Sequence, residues 1–87
     1  MNVVIEDNKY IEKFMKHHNN YSERLKDEIY SNINTMINEK AYKIKDVRGL
    51  KYRGKTAFEY KIILDKYFVC RIAYIKEDDN IVVFYIS

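Results

Sequence analysis

The sequence predicts an α+β domain. In it an N-terminal strand and a helical hairpin precede a three-stranded antiparallel meander, which completes a small sheet packed on the helices. Two observations predict this class. Apolar residues recur at three- and four-residue spacing as far as Ile37, and from Ala57 onward they alternate with other residues at period two. The 87 residues are predicted to form a single domain, 1–87, and hydrophobic residues make up 47% of them, which allows a modest core.

A first strand is predicted at Val3–Ile5, a short apolar run that ends in polar residues. Asp7 is the predicted N-cap of the helix that follows, because its carboxylate can accept a hydrogen bond from a backbone N–H that lacks an intrahelical partner. The apolar stripe of this helix consists of Tyr10, Ile11, Phe14, Met15 and His18. Aromatic and methionine side chains at this spacing are more typical of a core than of a ligand pocket.

A second helix is predicted to begin near Asn20, which forms a capping-box pattern with Glu23. Its stripe consists of Leu25, Ile29, Ile33, Met36 and Ile37. The two helices are expected to form an antiparallel hairpin, and one long kinked helix is the alternative. His17 and His18 point about 100° apart on a helix and no second ligand cluster accompanies them, so no metal site and no cofactor are expected.

A connector is predicted to follow the second helix and to end at Thr56, and it holds both glycines of the chain, Gly49 and Gly54. It contains one acidic residue, Asp46, and seven basic residues: Lys40, Lys43, Lys45, Arg48, Lys51, Arg53 and Lys55. Such a cluster is typical of a polyanion site or of a surface for an acidic protein partner. Lysines that merely keep a small protein in solution explain the same composition equally well.

Three strands of a meander are predicted from the alternating residues that follow Ala57. A three-residue loop at 65–67 keeps apolar and charged residues on separate faces. It pairs Leu64 with Phe68, Ile62 with Cys70, and Lys61 with Arg71. A two-residue loop would mix the faces, and Asp-Lys is a poor pair for a type I′ turn because lysine tolerates positive φ badly.

A five-residue loop from Lys76 to Asn80 then sets Ile75 opposite Ile81 and Arg71 opposite Tyr85. The prediction is a row of three side chains, Lys61, Arg71 and Tyr85, across the face of the sheet that does not join the core. Two opposed cations repel each other, so the row favours a bound anion or a nearby carboxylate such as Glu59. A solvated face with extended cationic side chains is the alternative.

The chain resembles the RelE/ParE superfamily of toxins from type II toxin–antitoxin systems. The resemblance covers the whole chain loosely and residues 46–86 more closely, and it implies a RelE-like fold. Four segments carry it: Val47-Arg48-Gly49, Tyr60-Lys61-Ile62, Cys70-Arg71-Ile72-Ala73-Tyr74, and the apolar run Ile81–Ile86.

The resemblance implies a ribosome-dependent mRNA interferase, which is a metal-independent endoribonuclease that uses a basic sheet face to bind RNA phosphate. Guanidinium and ammonium groups can stabilise the negative charge that develops at a phosphate during cleavage. The candidate catalytic residues are Arg48, Lys61, Arg71 and Tyr85, and the candidate nucleic-acid-binding residues are Lys43, Lys45, Lys51, Arg53 and Lys55. The implied partners are a cognate antitoxin with an acidic or amphipathic helix, and the ribosome or mRNA.

Two departures from the family pattern leave the enzymatic activity open. RelE-like nucleases usually continue past the last strand into a segment with an arginine and a tyrosine or histidine, and they often carry a second basic residue where Ile63 stands here. Two alternatives therefore remain. One is a ParE-like toxin directed at DNA gyrase, and the other is a non-catalytic RelE-fold binding protein, such as a phage or mobile-element inhibitor of a host nucleic-acid machine.

A cytoplasmic location is expected. The N-terminus has neither a basic segment nor a long apolar core, and no run of 18 apolar residues occurs, so neither a signal peptide nor a membrane span is predicted. Cys70 is the single cysteine, which excludes an internal disulfide. The oligomeric state is left open by the sequence.

Overall fold

A five-stranded mixed sheet in the order β1-β5-β4-β3-β2 organises the protein, whose computed structural model describes residues 1–87. Its strands are β1 (Asn2–Ile5), β2 (Lys45–Tyr52), β3 (Lys55–Asp65), β4 (Phe68–Glu77) and β5 (Asn80–Ile86). β1 pairs with β5 in parallel, and the other pairs are antiparallel. The predicted α+β class, first strand and meander are confirmed, but the sheet has one strand more than predicted.

The additional strand is β2, which lies in the segment predicted to be a connector. Its pairing with β3 jumps from Asp46 opposite Phe58 to Lys51 opposite Thr56, so residues 47–50 form a wide bulge opposite Ala57. Gly49 lies in this bulge with a φ of 76°. The bulge removes the period-two pattern, and the charged side chains of an edge strand remain in solvent, so the sequence of this strand resembles a loop.

Two helices precede the remaining strands: α1 (Lys9–His17) and α2 (Ser22–Glu39), followed by a short 3-10 turn at Ala41–Lys43. Asn8, and not the predicted Asp7, caps α1, because its Oδ1 accepts hydrogen bonds from the N–H groups of Tyr10 (3.0 Å) and Ile11 (2.9 Å). The N-cap of α2 is Tyr21 without a side-chain bond, so the predicted capping box is wrong. Neither helix is long and apolar enough to cross a membrane.

The main core lies between the helices and one face of the sheet, called here the inner face. The α2 residues Leu25, Ile29 and Ile33 are fully buried, as their predicted stripe requires, and Ile11 joins them from α1. The inner face supplies Tyr60, Ile62, Phe68, Cys70, Ile72, Tyr74, Ile81, Val83 and Ile86. Tyr10 was predicted to belong to the α1 stripe, but it is 54% exposed.

The opposite face of the sheet, called here the outer face, is closed at one end by the β2–β3 hairpin. Beneath that hairpin lies a second apolar cluster of Ala57, Ala73, Ile75, Val82 and Phe84. The ring of Tyr52 stacks on that of Phe84 with centroids 4.0 Å apart and planes 3° apart. The hairpin turns at Arg53 and Gly54, both with positive φ (52° and 74°), which is the type I′ geometry that matches the twist of the strands.

Candidate nucleic-acid interface

The two cations of the predicted row, Lys61 and Arg71, lie directly opposite each other on β3 and β4. Both side chains are exposed on the outer face. The pairing of Ile62 with Cys70 is also as predicted, although the turn differs in detail, since Asp65 pairs with Phe68 and Leu64 is accommodated in a bulge. The bulge restores the predicted register, so Lys61 and Arg71 meet despite the shorter loop.

Neither member of this cationic pair has an ion-pair partner. The four ion pairs of the protein involve other side chains, and no hydrogen bond is donated by the Lys61 ammonium or the Arg71 guanidinium group. Glu59, which could have offset the repulsion, lies opposite Ala73 on β4 and opposite Lys45 on β2. The pair therefore places two positive charges side by side with no carboxylate within ion-pair distance of either, an arrangement that destabilises the sheet in the absence of an anion.

Tyr85, the third predicted member of the row, does not lie opposite Arg71 as predicted. It lies opposite Ala73, while Arg71 exchanges two backbone hydrogen bonds with Ser87 (2.9 and 3.0 Å). Two features displace it. The turn is a tight one at Asp78 and Asp79, because Asp78 adopts a φ of 55°, and β5 contains a bulge opposite the step from Ala73 to Tyr74.

The same tight turn overturns the predicted pairing of Ile75 with Ile81, since Ile75 lies opposite Val82. Tyr85 still projects from the outer face and is 43% exposed, and its ring centroid lies 5.9 Å from that of Tyr10 at the start of α1. The structure therefore brings Lys61 and Arg71 together and places Tyr85 in the neighbouring row.

Arg48, the fourth candidate catalytic residue, is exposed in the β2 bulge opposite Ala57. Ala57 precedes Lys61 by four residues on β3, which corresponds to about 13 Å along an extended strand. Arg48 is thus on the same hairpin as Lys61 but does not extend the cationic pair.

The candidate nucleic-acid-binding residues are all exposed, but one of them is neutralised. Arg53 donates hydrogen bonds to Glu6 (2.5 Å) and Glu77 (3.1 Å), so its charge is used within the protein. Lys51 donates to the Thr56 hydroxyl at 3.1 Å, and Lys43 lies over the Tyr42 ring. Lys45 and Lys55 form no ion pair. The predicted basic surface therefore loses Arg53. Lys51 lies opposite Thr56 and projects from the other face of the hairpin, and Lys45 and Lys55 remain on the outer side.

Arg53 belongs to a cluster that fastens the β2–β3 hairpin to the end of β1, and we call this cluster the hairpin clamp: Glu6, Tyr52, Arg53 and Glu77. The Glu6 carboxylate accepts hydrogen bonds from the Tyr52 hydroxyl, from Arg53 and from Asn8. Partial burial favours protonation of Glu6, but these hydrogen bonds and the Arg53 charge outweigh it and lower its pKa. The hydrogen bond to Glu6 raises the pKa of Tyr52.

Three apolar side chains extend the outer face beyond the cationic pair. Ile63 and Val69 lie opposite each other and are 62% and 54% exposed, and Tyr67 in the adjoining turn is 79% exposed. Sequence reasoning treated Ile63 only as a missing cation. Its position two residues after Lys61 on an alternating strand was the signal that it shares the exposed face.

A groove between α1 and β5 is the other feature that sequence reasoning missed. It has a volume of about 350 Å³, and its lining includes Tyr10, Lys13, His17 and Tyr85. Its far end reaches Ser87, whose backbone forms hydrogen bonds with the backbone of Arg71. The helical pattern assigned Tyr10 to the core, so no sequence signal indicated that two exposed tyrosines meet here.

The two histidines of α1 form part of an aromatic cluster. The ring of His18 lies 4.5 Å from that of Phe14 and 5.3 Å from that of Phe68, and His17 meets His18 edge-on at 4.9 Å. No group of three or more metal-ligating side chains occurs in the protein. His18 therefore packs α1 against the sheet, and both histidines line the groove.

No protein-family model, curated protein or solved structure matches this chain.

Proposed function

We propose that this protein is a RelE-like toxin of a type II toxin–antitoxin system that binds RNA phosphate on the outer face of its sheet and acts on ribosome-bound mRNA. The observation that carries the proposal is the directly opposed, unpaired Lys61 and Arg71. Opposed like charges cost about 0.2–1 kcal/mol in a sheet, and a bound phosphate would turn this repulsion into attraction. Exposed Lys45 and Lys55, which lie opposite the outer-face residues Glu59 and Tyr52, add positive charge on the adjoining hairpin.

In the proposed complex, Arg71 binds a phosphate through its planar guanidinium group and Lys61 adds a second positive charge to the same group. These two charges would also stabilise the additional negative charge that develops during attack by a ribose 2′-hydroxyl. Arg48 and the hairpin lysines would contact phosphates further along the strand. The proposed partners are the ribosome with its mRNA and an antitoxin whose acidic helix neutralises the same surface.

A second candidate function is non-catalytic binding on the same face. The displacement of Tyr85 to the row of Ala73 favours it, because the tyrosine then lies beside the cationic pair and does not face Arg71 across the strands. A general acid or base must come within hydrogen-bond reach of the proton that it transfers. An inhibitor of a nucleic-acid machine would need only the positive surface.

The test of phosphate binding uses variants that remove one charge and keep an apolar side chain of similar length: Lys61→Met and Arg71→Met. Lys16→Met on α1 is the matched control, because Lys16 is exposed and has no ion-pair partner. Fluorescence anisotropy with a labelled single-stranded RNA gives the affinity at several salt concentrations. Lys61→Met and Arg71→Met should each bind the RNA more weakly than the wild type does. For each variant, the slope of log affinity against log salt concentration should be smaller in magnitude by about 0.7, while Lys16→Met should match the wild type.

Stability provides the complementary measurement. Lys61→Met and Arg71→Met each relieve the repulsion between the two cations. Each variant should therefore unfold at a slightly higher temperature than the wild type while binding RNA less well. Unchanged RNA affinity in both variants would refute the phosphate site. Incubation with ribosomes and mRNA, followed by primer extension, then separates the two functions: cut mRNA indicates the interferase, and intact mRNA with retained binding indicates the inhibitor.

A further inference from the structure

The groove between α1 and β5 has the size and the lining of a site for a small planar ligand. Its volume of about 350 Å³ lies at the lower end of the range of small-molecule sites. Aromatic rings form its walls, namely Tyr10, Phe14, His17, His18 and Tyr85. Lys13 supplies a cation, and none of the side chains that line the groove is acidic.

The two tyrosines of the groove are more exposed than Tyr52 and Tyr74, as are Tyr30, Tyr42 and Tyr67 elsewhere on the surface. Tyr10 and Tyr85 are 54% and 43% exposed, and their rings lie tilted at 60° to each other. By contrast, Tyr74 is fully buried, and Tyr52 stacks on Phe84 while its hydroxyl donates to Glu6. Lys9 lies over the Tyr10 ring, with its Nζ 5.3 Å from the ring centroid, and the remaining exposed ring surface of Tyr10 and Tyr85 is available for stacking with a ligand.

The groove ends beside the strand that carries Arg71 of the cationic pair. Ser87 lines the groove and forms two backbone hydrogen bonds with Arg71, so one strand spacing of about 5 Å separates the end of the groove from Arg71. A ligand that carries both a planar aromatic ring and a phosphate could occupy both places at once. Unpaired nucleotides in single-stranded RNA have this chemistry, and proteins recognise their bases by stacking on aromatic side chains.

We propose that the α1–β5 groove binds an unpaired base of the RNA strand whose phosphate lies on Lys61 and Arg71. This inference rests on the proposed RNA binding and adds to it a base site lined by Tyr10 and Tyr85. Stacking on a tyrosine ring accepts any base, so the site selects for a single strand and not for a sequence. The flanking Lys13 provides a further charge for the adjacent phosphate.

The first experiment compares a labelled single-stranded RNA with a strand of the same length and charge that lacks bases. Wild-type protein should bind the base-containing strand more tightly by about fivefold to a hundredfold, the difference that stacking of one base supplies. Tyr10→Ala and Tyr85→Ala should lower the affinity for RNA by that factor and leave the affinity for the base-free strand unchanged. Tyr30→Ala is the matched control, because Tyr30 is 51% exposed and lies outside the groove.

The second experiment separates the base site from the phosphate site. Titration of the wild-type protein with adenosine, which has a base but no phosphate, should shift the amide NMR signals of Tyr10, Lys13 and Tyr85. Shifts with adenosine but no binding of either strand would retain the base site and refute the proposed RNA binding. Equal affinity for the two strands, with no adenosine shifts, would overturn the base site and leave phosphate binding intact. Groove shifts with an oligoglutamate peptide but not with adenosine would overturn it in favour of an acidic protein partner.

Discussion

The substitution Glu6→Gln removes the charge at the centre of the hairpin clamp while keeping the size and shape of the side chain. Glu6 follows β1 at one edge of the sheet, and its partners Tyr52 and Arg53 belong to the hairpin of the opposite edge strand. Its side chain is 14% exposed. Glutamine can still accept the hydrogen bond from Tyr52, but its amide group would meet the Arg53 guanidinium as a second donor.

The expected loss of stability follows from these contacts. A hydrogen bond to a charged group contributes about 1.5–3 kcal/mol and a neutral one about 0.5–1.5 kcal/mol, so the Tyr52 bond alone loses about 1 kcal/mol. The Arg53 pair adds little, because its guanidinium is 46% exposed and water screens it. For a domain of this size, a loss of 1 kcal/mol lowers the melting temperature by about 4–8 °C.

The lowered pKa of Glu6 predicts how the stability lost in Glu6→Gln depends on pH. The pKa of Glu6 in the folded protein lies below its ordinary value of 4.5, so the clamp contributes its full stability above pH 4.5 and loses it as the pH falls through the folded pKa. Melting curves from circular dichroism should therefore separate wild type from Glu6→Gln at pH 7 and converge as the pH falls through the folded pKa of Glu6.

Asp27→Asn provides the control for the clamp, because Asp27 is exposed and forms no ion pair or hydrogen bond. It should melt as the wild type does at pH 7. If Glu6→Gln also melts as the wild type at pH 7, the clamp does not stabilise the fold. A difference that persists unchanged in acid would mean that the glutamine disturbs packing and that the lost charge is irrelevant.

Three further outcomes follow from the packing and the turns. Ile33 is fully buried, so Ile33→Ala should lower the free energy of unfolding by about 2–5 kcal/mol and Ile33→Val by about 0.5–1.5 kcal/mol, measured by urea titration; equal losses would place the side chain outside a packed core. Gly54→Ala forces an L side chain to a φ of 74° and should lower the urea midpoint by an amount equivalent to about 1–2 kcal/mol. Burial raises the pKa of Cys70 to about 11, so a thiol reagent at pH 8 should label it only after denaturation, and rapid labelling of native protein would contradict its burial.

The sequence predicted most of the inner face, because helical and alternating periodicity report directly which residues are buried. Leu25, Ile29 and Ile33 follow the helical period without interruption, and all three are buried. The same reasoning missed β2, where four residues bulge out opposite Ala57 and the pattern of alternation is lost. It also placed Tyr10 in the core, because a tyrosine satisfies the apolar period whether its ring is covered or exposed.

The candidate site shows where register arguments hold and where they fail. Lys61 meets Arg71 as predicted because the bulge at Leu64 compensates for the shorter loop. No such compensation occurs between β4 and β5, where a tight turn and a bulge together shift Tyr85 from Arg71 to Ala73. The tight turn depends on the positive φ of Asp78 and the bulge on the local pairing of the two backbones, and alternation of side chains does not report either of them.

The structure also separates cations that hold the fold together from cations that remain free. Arg53 was grouped with the other basic residues by its place in the sequence, yet its guanidinium bridges Glu6 and Glu77 and closes one end of the outer face. Lys61 and Arg71 face each other at the open end, and neither of them forms an ion pair. A charge that already has two carboxylate partners gains little from a phosphate, whereas an opposed and unpaired pair gains both attraction and relief from repulsion. The RNA surface proposed for this protein therefore begins at Lys61 and Arg71 and ends where the hairpin clamp covers Phe84.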